Sequence, residues 1–238
     1  MALHLGCSRR EADKIIEKGD VQILQDGQKL EVVVGLQVTE NMELTILYKN
    51  TERKLRLNDT IIGQKVMMYK PIFAITSRKD PQDRKTCYDF LPPSMKDLKT
   101  AGRLDYMSEG LLLLSNDGDF LDKMSHPKHP CSKEYIVGLR HKFRTGDIMN
   151  MRRGMYLNDY KLNPMYVFEA IKELEEYKYL KFEKNFFWYR FTLTEGRNNQ
   201  IRNISEVLGN KVLRLIRTRH GEYQLTQDLF EKRIQVIE

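Results

Sequence analysis

The stretch from Gly102 to Gly118 reads GRLDYMSEGLLLLSNDG, a charged loop followed directly by four leucines. The leucines predict a buried strand, and the following Asn-Asp-Gly predicts a turn. Asp105 lies just ahead of that strand, at a sheet edge, where rigid structure can hold a catalytic carboxylate. Aspartate is also a common turn residue, so capping a turn is the alternative role for Asp105.

A second polar segment, EGRNNQIR from Glu195 to Arg202, follows a predicted strand and opens a helix. Ile201, Ile204 and Leu208 have helical spacing, and Gly209 is placed to end the helix. A buried Arg202 near the helix N-terminus would oppose the helix dipole and need an anion, for which Asp105 is a candidate. An exposed arginine is the alternative.

Two further segments carry basic and aromatic side chains. Lys133 and Tyr135 alternate onto one face at the start of a strand, where a tyrosine can stack on an RNA base or simply be half-buried. The strand from Lys211 to His220 carries Arg214, Arg217 and Arg219 among apolar residues, which predicts a basic face that contacts phosphate. His126 and His129 lack partners at metal-ligand spacing, so no metal site is expected.

The larger part of the chain mixes strands and helices without regular alternation, which predicts an α+β domain on a mixed, mostly antiparallel sheet. The apolar runs predict strands over Lys65–Tyr69, Gly110–Ser115, Tyr135–Leu139, Trp188–Thr194 and Val212–Thr218.

The first fifty residues form a separate pattern, which predicts a small α/β domain over residues 1–50. A capping box at Ser8 predicts a helix from about Arg9, ended by Gly19, with Ala12, Ile15 and Ile16 on its apolar face. Arg10, Lys14 and Lys18 stack on another face, which either contacts RNA or simply faces water. Strands are predicted over Val21–Leu24 and Val38–Tyr48, with Asp26-Gly27 as a turn between them. The polar segment Asn50–Asp59 is predicted to be a linker, and the second domain to span residues 60–238.

Composition narrows the function classes. The 238 residues carry a net charge of +7, with 6 basic and 8 acidic residues over 1–50 and 34 and 25 over 51–238. A basic larger domain suits a polyanionic partner. Three cysteines without CxxC spacing favour a reducing compartment, and no apolar run is long enough for a membrane span. A cytoplasmic location is expected, or an organelle matrix if a transit segment has been removed.

Together these segments resemble the RsuA/RluB/RluE/RluF family of ribosomal RNA pseudouridine synthases. Residues 102–118 match its aspartate motif, and residues 69–92, 126–137 and 195–221 are similar to its lysine-proline, tyrosine and basic motifs. The first fifty residues resemble the S-four RNA-binding domain of many members, with a shortened first helix. The family usually has a glycine soon after the lysine-proline pair, where this chain has Ile72-Phe73, so a different bend is expected.

The resemblance implies a pseudouridine synthase fold and the isomerisation of a uridine in ribosomal RNA, with the large subunit as the expected source. The implied reaction requires no cofactor. Asp105 is implied as the catalytic carboxylate, Tyr135 as the partner that stacks on the flipped base, and Arg202 as the counter-charge. The expected RNA contacts are Arg9, Arg10, Lys14, Lys70, Arg103, Lys133, Arg197, Gln200, Arg214 and Arg217.

The alternative function is a non-catalytic RNA-binding factor for ribosome assembly on the same fold. A protein on this fold that has lost its catalytic activity is expected to lack Asp105, Tyr135 or Arg202, and this chain keeps all three. Ribosomal RNA is the expected partner, with precursor ribosomal particles as a further one, and a monomer is expected.

Overall fold

The chain divides into two compact units, residues 1–63 and residues 64–238. The computed structural model describes residues 9–25, 27–38, 42–48, 51–55 and 63–237, apart from the side chains at positions 9, 47, 48, 53 and 55. No helix in these ranges is long and apolar enough to cross a membrane.

The first unit packs one helix against a four-stranded antiparallel sheet. Its elements are α1 (Arg9–Glu17), β1 (Val21–Gln25), β2 (Gln28–Leu30), β3 (Met42–Tyr48) and β4 (Thr51–Leu55), and the strand order is β2-β1-β3-β4. The predicted helix is confirmed, and Gly19 follows it at φ 76°. Ala12 and Ile15 are buried and Ile16 packs beside them, whereas Arg10, Lys14 and Lys18 are exposed, as the spacing predicted.

Two predictions for this unit were wrong. The segment predicted as a linker contains β4, which pairs with β3 along its whole length. The described side chains of this strand, Thr51, Glu52 and Lys54, are exposed, so it lacks the apolar alternation that would have indicated a strand. The turn at Gly27 joins β1 to the three-residue β2 and not to the second predicted strand. Ser8 and Asp26 lie outside the described residues.

The second unit is built on one mixed sheet. Its strands are β5 (Lys65–Lys70), β6 (Lys99–Thr100), β7 (Glu109–Ser115), β8 (Lys133–Leu139), β9 (Tyr156–Leu157), β10 (Tyr160–Lys161), β11 (Tyr166–Glu169), β12 (Phe187–Leu193), β13 (Val212–His220), β14 (Tyr223–Gln224) and β15 (Ile234–Ile237). The order in the sheet is β11-β12-β8-β13-β7-β5-β15, with β14 on β13 and β6 on β7, while β9 and β10 form a separate hairpin.

The helices of this unit are α2 (Gly118–Ser125), α3 (Thr145–Arg153), α4 (Ile171–Glu176), α5 (Gln200–Val207) and α6 (Gln227–Lys232), with short 3₁₀ turns at Cys87–Phe90, Pro93–Met95 and Lys178–Leu180. All five strands predicted from apolar runs are present. The β13–β7 pair is parallel and the other strand pairs are antiparallel, which confirms the predicted mixed α+β class.

The leucine strand β7 is central and buried on both faces. Leu111 and Leu113 point into one apolar core, and Leu112 and Leu114 point into another on the opposite face. This is why its sequence is continuously apolar and does not alternate. The loop ahead of β7 is therefore attached to the most buried strand of the sheet.

Candidate active site

Asp105 lies in the loop between β6 and β7, and the fold fixes this loop from several sides. The hydroxyl of Thr76 donates to the Leu104 carbonyl at 2.7 Å and accepts from the Leu104 amide at 3.1 Å. The Leu104 side chain is buried, and the Ser108 amide donates to the Asp105 carbonyl at 3.0 Å. Asp105 is half-buried, and its carboxylate accepts no hydrogen bond from the described residues. The backbone of the loop is therefore fixed, while the carboxylate oxygens remain available.

Lys70 supplies one positive charge near Asp105. Its side chain is fully buried, and Nζ donates to the carbonyls of Ala74 at 2.6 Å and Pro71 at 2.9 Å. Burial lowers the pKa of Lys70 to about 8. Nearby negative charges, including that of Asp105, act in the opposite direction. The predicted RNA contact by Lys70 is therefore wrong, because phosphate cannot reach a buried ammonium group.

Arg202 supplies the second positive charge. As predicted, it lies in the first turn of α5, and its guanidinium donates to the carbonyls of Met107 at 2.7 Å and Val212 at 3.3 Å. Burial lowers the pKa of Arg202, and the charge of Asp105 acts in the opposite direction. In the described residues Arg202 and Asp105 form no ion pair, so their coupling acts through space and the direct pairing that the sequence suggested is not formed. Arg202 ties α5 to the loop that carries Asp105.

Tyr135 and Lys133 lie two residues apart on β8, which places them on one face as predicted. The half-buried ring of Tyr135 packs against the core that contains Leu104, the residue before Asp105. In register, Tyr135 lies opposite Phe191 on β12 and Arg217 on β13. Lys133 is half-buried, and burial together with the charge of Arg217 lowers its pKa.

Arg217 is buried in the interior and donates hydrogen bonds to backbone carbonyls on both sides of Asp105 in the chain. It is 1% exposed, and it donates to the carbonyls of Leu111 at 2.7 Å and Arg103 at 3.3 Å. The predicted phosphate contact by Arg217 is therefore wrong. Arg214 and Arg217 are three residues apart and therefore point to opposite faces of β13. A bulge separates Arg217 from Arg219, so the arginines of the strand do not share one basic face.

Arg214 is also engaged within the protein. Its Nε donates to Glu109 at 2.7 Å, and its other nitrogens bond to the carbonyls of Leu180 and Lys181 and to the Glu183 carboxylate. The Tyr69 hydroxyl donates to the second oxygen of Glu109. Burial opposes the charge of Arg214, but the two carboxylates outweigh it and raise its pKa. Arg214 is half-buried, and its contact with phosphate stays a prediction.

Gln200 is buried as well. Its carbonyl oxygen accepts from the Arg197 amide at 3.1 Å, and its nitrogen donates to Glu195 at 2.8 Å. Both ends of the side chain close the turn that starts α5, so the predicted RNA contact by Gln200 is wrong. Arg197 itself is exposed, with its guanidinium 3.4 Å from the centre of the Tyr160 ring.

The remaining basic candidates are accessible. Arg103 is exposed on the Asp105 loop, and Arg10 and Lys14 are exposed on α1. The side chain of Arg9 lies outside the described residues. No cluster in the described parts of the chain could hold a metal ion.

Sequence reasoning missed the network of Glu109 and Tyr69, and it missed Phe73 and Tyr106 beside Asp105. A signal for the network was present, since a glutamate at the head of a fully apolar strand needs a buried cation. A signal for Phe73 was also present, since Ile72-Phe73 stands where the family usually has a glycine. Phe73 adopts φ 64°, a conformation that favours glycine, although it is not one.

Known proteins are similar to this chain in sequence and in structure. A family model described as RNA pseudouridylate synthase matches residues 64–206. The chain is 32% identical over 228 residues to the ribosomal large subunit pseudouridine synthase B of Escherichia coli K12, covering 93% of this chain and 72% of that protein. It is 31% identical over 224 residues to an uncharacterised RNA pseudouridine synthase of Rickettsia felis, covering 92% of this chain and 86% of that one.

A solved structure agrees with the sequence comparisons. The crystal structure of a pseudouridylate synthase superimposes with a TM-score of 0.64 at 26% identity, covering 100% of this chain and 93% of that one. The chain therefore belongs to the family of RNA pseudouridylate synthases, in the RsuA/RluB/RluE/RluF group that its motifs resemble.

Proposed function

We propose that this protein isomerises a uridine to pseudouridine in the RNA of the large ribosomal subunit. The observation that carries the proposal is the Asp105 carboxylate, fixed by its loop, unpaired among the described residues, and within the electrostatic reach of Lys70 and Arg202. The names of the relatives support ribosomal RNA of the large subunit as the substrate.

The reaction replaces one bond between the ribose and the base by another within the same nucleotide, and no group from a second substrate is required. The bond from the ribose C1′ to N1 of uracil breaks, the base turns, and C1′ joins C5, whose proton is lost while N1 gains one. Asp105 acts on the ribose, either by attacking C1′ or by removing a proton from the neighbouring sugar carbon. Both routes use the carboxylate, whose charge interacts through space with those of Lys70 and Arg202.

The target base must leave its stack before the carboxylate can reach the ribose. Unstacking costs a few kcal/mol, which contacts in the pocket must offset. Tyr135 is the side chain proposed to stack on the flipped uracil, because it is half-buried beside the core that includes Leu104. Arg103 and Arg197 are exposed, and with Lys133 they are the proposed phosphate contacts in this unit.

The first unit is proposed to act as an S-four-like RNA-binding domain. Its helix α1 buries an apolar face and exposes Arg10, Lys14 and Lys18. We further propose that the enzyme is a monomer that accepts ribosomal precursor particles as well as free RNA. Sedimentation of the protein, and turnover compared on both substrates, will check these two points.

The substitution Asp105→Asn tests the catalytic assignment. Unmodified ribosomal RNA is incubated with each purified protein, and pseudouridine is mapped along the RNA by chemical modification and primer extension. Wild-type protein should produce pseudouridine at a defined position, and Asp105→Asn should produce none. RNA affinity should stay equal or increase, because a negative charge facing phosphate has been removed.

Asp97→Asn is the matched control, because Asp97 is exposed and the variant loses the same charge elsewhere in this unit. It should convert uridine at the wild-type rate. Turnover by Asp105→Asn at a rate near that of the wild type would overturn the role of Asp105. Absence of any pseudouridine from the wild-type reaction would overturn the proposed function.

A further inference from the structure

An aromatic surface lies beside the Asp105 loop and takes no part in the chemistry described above. Phe73 is 52% exposed, and its ring centre lies 5.5 Å from that of Tyr106, the residue after Asp105. The guanidinium carbon of Arg84 lies 5.4 Å from the centre of the same Tyr106 ring. Phe73, Tyr106 and Arg84 are named here the aromatic platform.

The backbone of Phe73 shows that the fold itself gains little from this side chain. Its φ of 64° lies in the left-handed region that favours glycine and is strained for a bulky residue. Its ring is half-exposed, so it adds little to the core. A large aromatic side chain at this position is therefore better explained by a contact outside the chain than by folding.

Hydrogen bonds hold the aromatic platform at a fixed place relative to Asp105. The Phe73 amide donates to the Tyr106 carbonyl at 2.8 Å. The Thr76 hydroxyl forms hydrogen bonds with both the carbonyl and the amide of Leu104. Lys70 bonds the carbonyls of Pro71 and Ala74 on either side of Phe73. A base that stacked on Phe73 would therefore be positioned relative to the reacting carboxylate.

The surrounding charge fits a nucleic acid. The exposed loop over residues 77–85 carries four basic side chains and two acidic ones, and Arg84 of this loop is fixed by two hydrogen bonds to the carboxylate of Asp80. An exposed aromatic ring beside a basic loop is an arrangement on which unpaired bases stack, because every base offers a flat face and every phosphate a negative charge.

We propose that Phe73, supported by Tyr106, stacks on an unpaired base that flanks the target uridine and thereby strengthens the binding of the RNA at the site of Asp105. This inference rests on the proposed function, since it assigns a second RNA contact of the same site. Tyr135 is the proposed partner of the target base itself, and the aromatic platform holds a neighbouring base.

The test replaces Phe73 by glycine, which adopts the left-handed conformation without strain. Phe73→Gly should therefore unfold at the same or a higher temperature than the wild type. At saturating RNA its kcat should stay within about twofold, while KM should rise about 5- to 100-fold, the range expected for the loss of one stacked base. Phe73→Trp should restore KM, and Phe73→Asn, which also tolerates this backbone, should behave as Phe73→Gly.

Phe187→Ala is the control for loss of an exposed aromatic side chain. Phe187 is 44% exposed and pairs with Leu139, at the end of β8 away from Lys133 and Tyr135, so its KM should match the wild type. A second arm uses RNA that lacks one base beside the mapped uridine. Removing the correct base should raise KM for the wild type and should add little to the effect of Phe73→Gly.

The outcomes separate the two proposals. Wild-type turnover with an unchanged KM for Phe73→Gly would overturn the role of the aromatic platform and leave the proposed function intact. The same conclusion follows if the abasic RNA and Phe73→Gly raise KM independently of each other. Failure of the wild type to form pseudouridine would overturn the proposed function instead.

Discussion

Basic side chains of the same type serve opposite purposes in the catalytic unit. Lys70 and Arg217 are buried and donate to backbone carbonyls of the segments that surround Asp105. Arg103 and Arg197 are exposed, and under the proposed function they contact phosphate. A buried charge is costly unless it is bonded, so each interior cation fixes the backbone that satisfies it. The backbone around Asp105 that is bonded in this way includes the Arg103 carbonyl and the segment from Pro71 to Ala74.

Buried His220 should make the folding stability of the protein depend on pH. It is fully buried, its Nε2 donates to the Met124 carbonyl at 2.8 Å, and its pKa is lowered to about 3 by burial and by the charges of Arg217 and Lys133. The unfolded chain protonates this histidine near pH 6.5. Its contribution to stability is thus complete above pH 6.5 and is lost as pH falls towards 3.

Urea unfolding at pH 6.5 and pH 4.5, followed by the fluorescence of Trp188, measures this effect. The folding free energy should fall by about 2–3 kcal/mol through His220 alone. His220→Gln keeps a donor and removes the titration, so it should lose less stability between the two values of pH. His141→Gln, at an exposed position, should keep the wild-type dependence. Identical pH dependence for wild type and His220→Gln would contradict the assignment.

At the scale of elements, the parallel pairing of β7 and β13 brings Asp105 and Arg202 to one end of the sheet. The pairing joins Glu109 to Ile216 and Gly110 to Arg217. The strands approach so closely at Gly110 that a Cβ atom there would lie 2.3 Å from the Arg217 carbonyl oxygen, and φ is 109°. Only glycine fits this crossing.

Gly110→Ala should therefore destabilise the catalytic unit by about 3 kcal/mol, because the two strands must separate and the backbone is strained. Urea unfolding followed by Trp188 fluorescence measures the loss. Gly146→Ala is the matched control, since a Cβ atom at Gly146 meets nothing within 4 Å and the residue lies in helix α3. The control should be neutral or slightly stabilising. Equal stability of the two variants would show that β7 and β13 can move apart freely.

At the scale of the whole molecule, charge is divided unequally between the two units. Residues 1–63 carry 9 basic and 10 acidic side chains, and residues 64–238 carry 31 and 23, a net of +8. Because each phosphate neutralised releases counterions, the catalytic unit should account for most of the salt dependence of RNA binding.

Two variants of the full chain should differ in how strongly their RNA affinity depends on salt concentration. Arg103→Gln with Arg197→Gln should lower the slope of log affinity against log salt concentration by about 0.7–0.9 for each phosphate that is no longer neutralised. Replacing Arg10, Lys14 and Lys18 together by glutamine should change the slope by less than this pair does. Filter binding of ribosomal RNA at several salt concentrations measures both slopes. A larger change for the triple variant would assign the main electrostatic contact to the first unit.

The sequence by itself determined five strands of the second unit, the helices α1 and α5, and the position of Asp105 ahead of β7. These follow from local patterns, because apolar periodicity and capping residues act over a few neighbouring positions. The same local rule failed for β4, whose described side chains face water. A polar edge strand is stabilised by its backbone pairing with β3, which leaves no apolar pattern in its own segment.

Only the tertiary structure decided which of the predicted RNA contacts bond to groups within the protein. Lys70, Gln200, Arg214 and Arg217 were predicted as RNA contacts, yet they bond to protein groups, in some cases more than a hundred residues away along the chain. The left-handed backbone of Phe73 likewise depends on its bond to Tyr106 across the loop. Burial and partners at long sequence separation arise when strands pair. For that reason no local pattern distinguishes a structural arginine from one that binds phosphate.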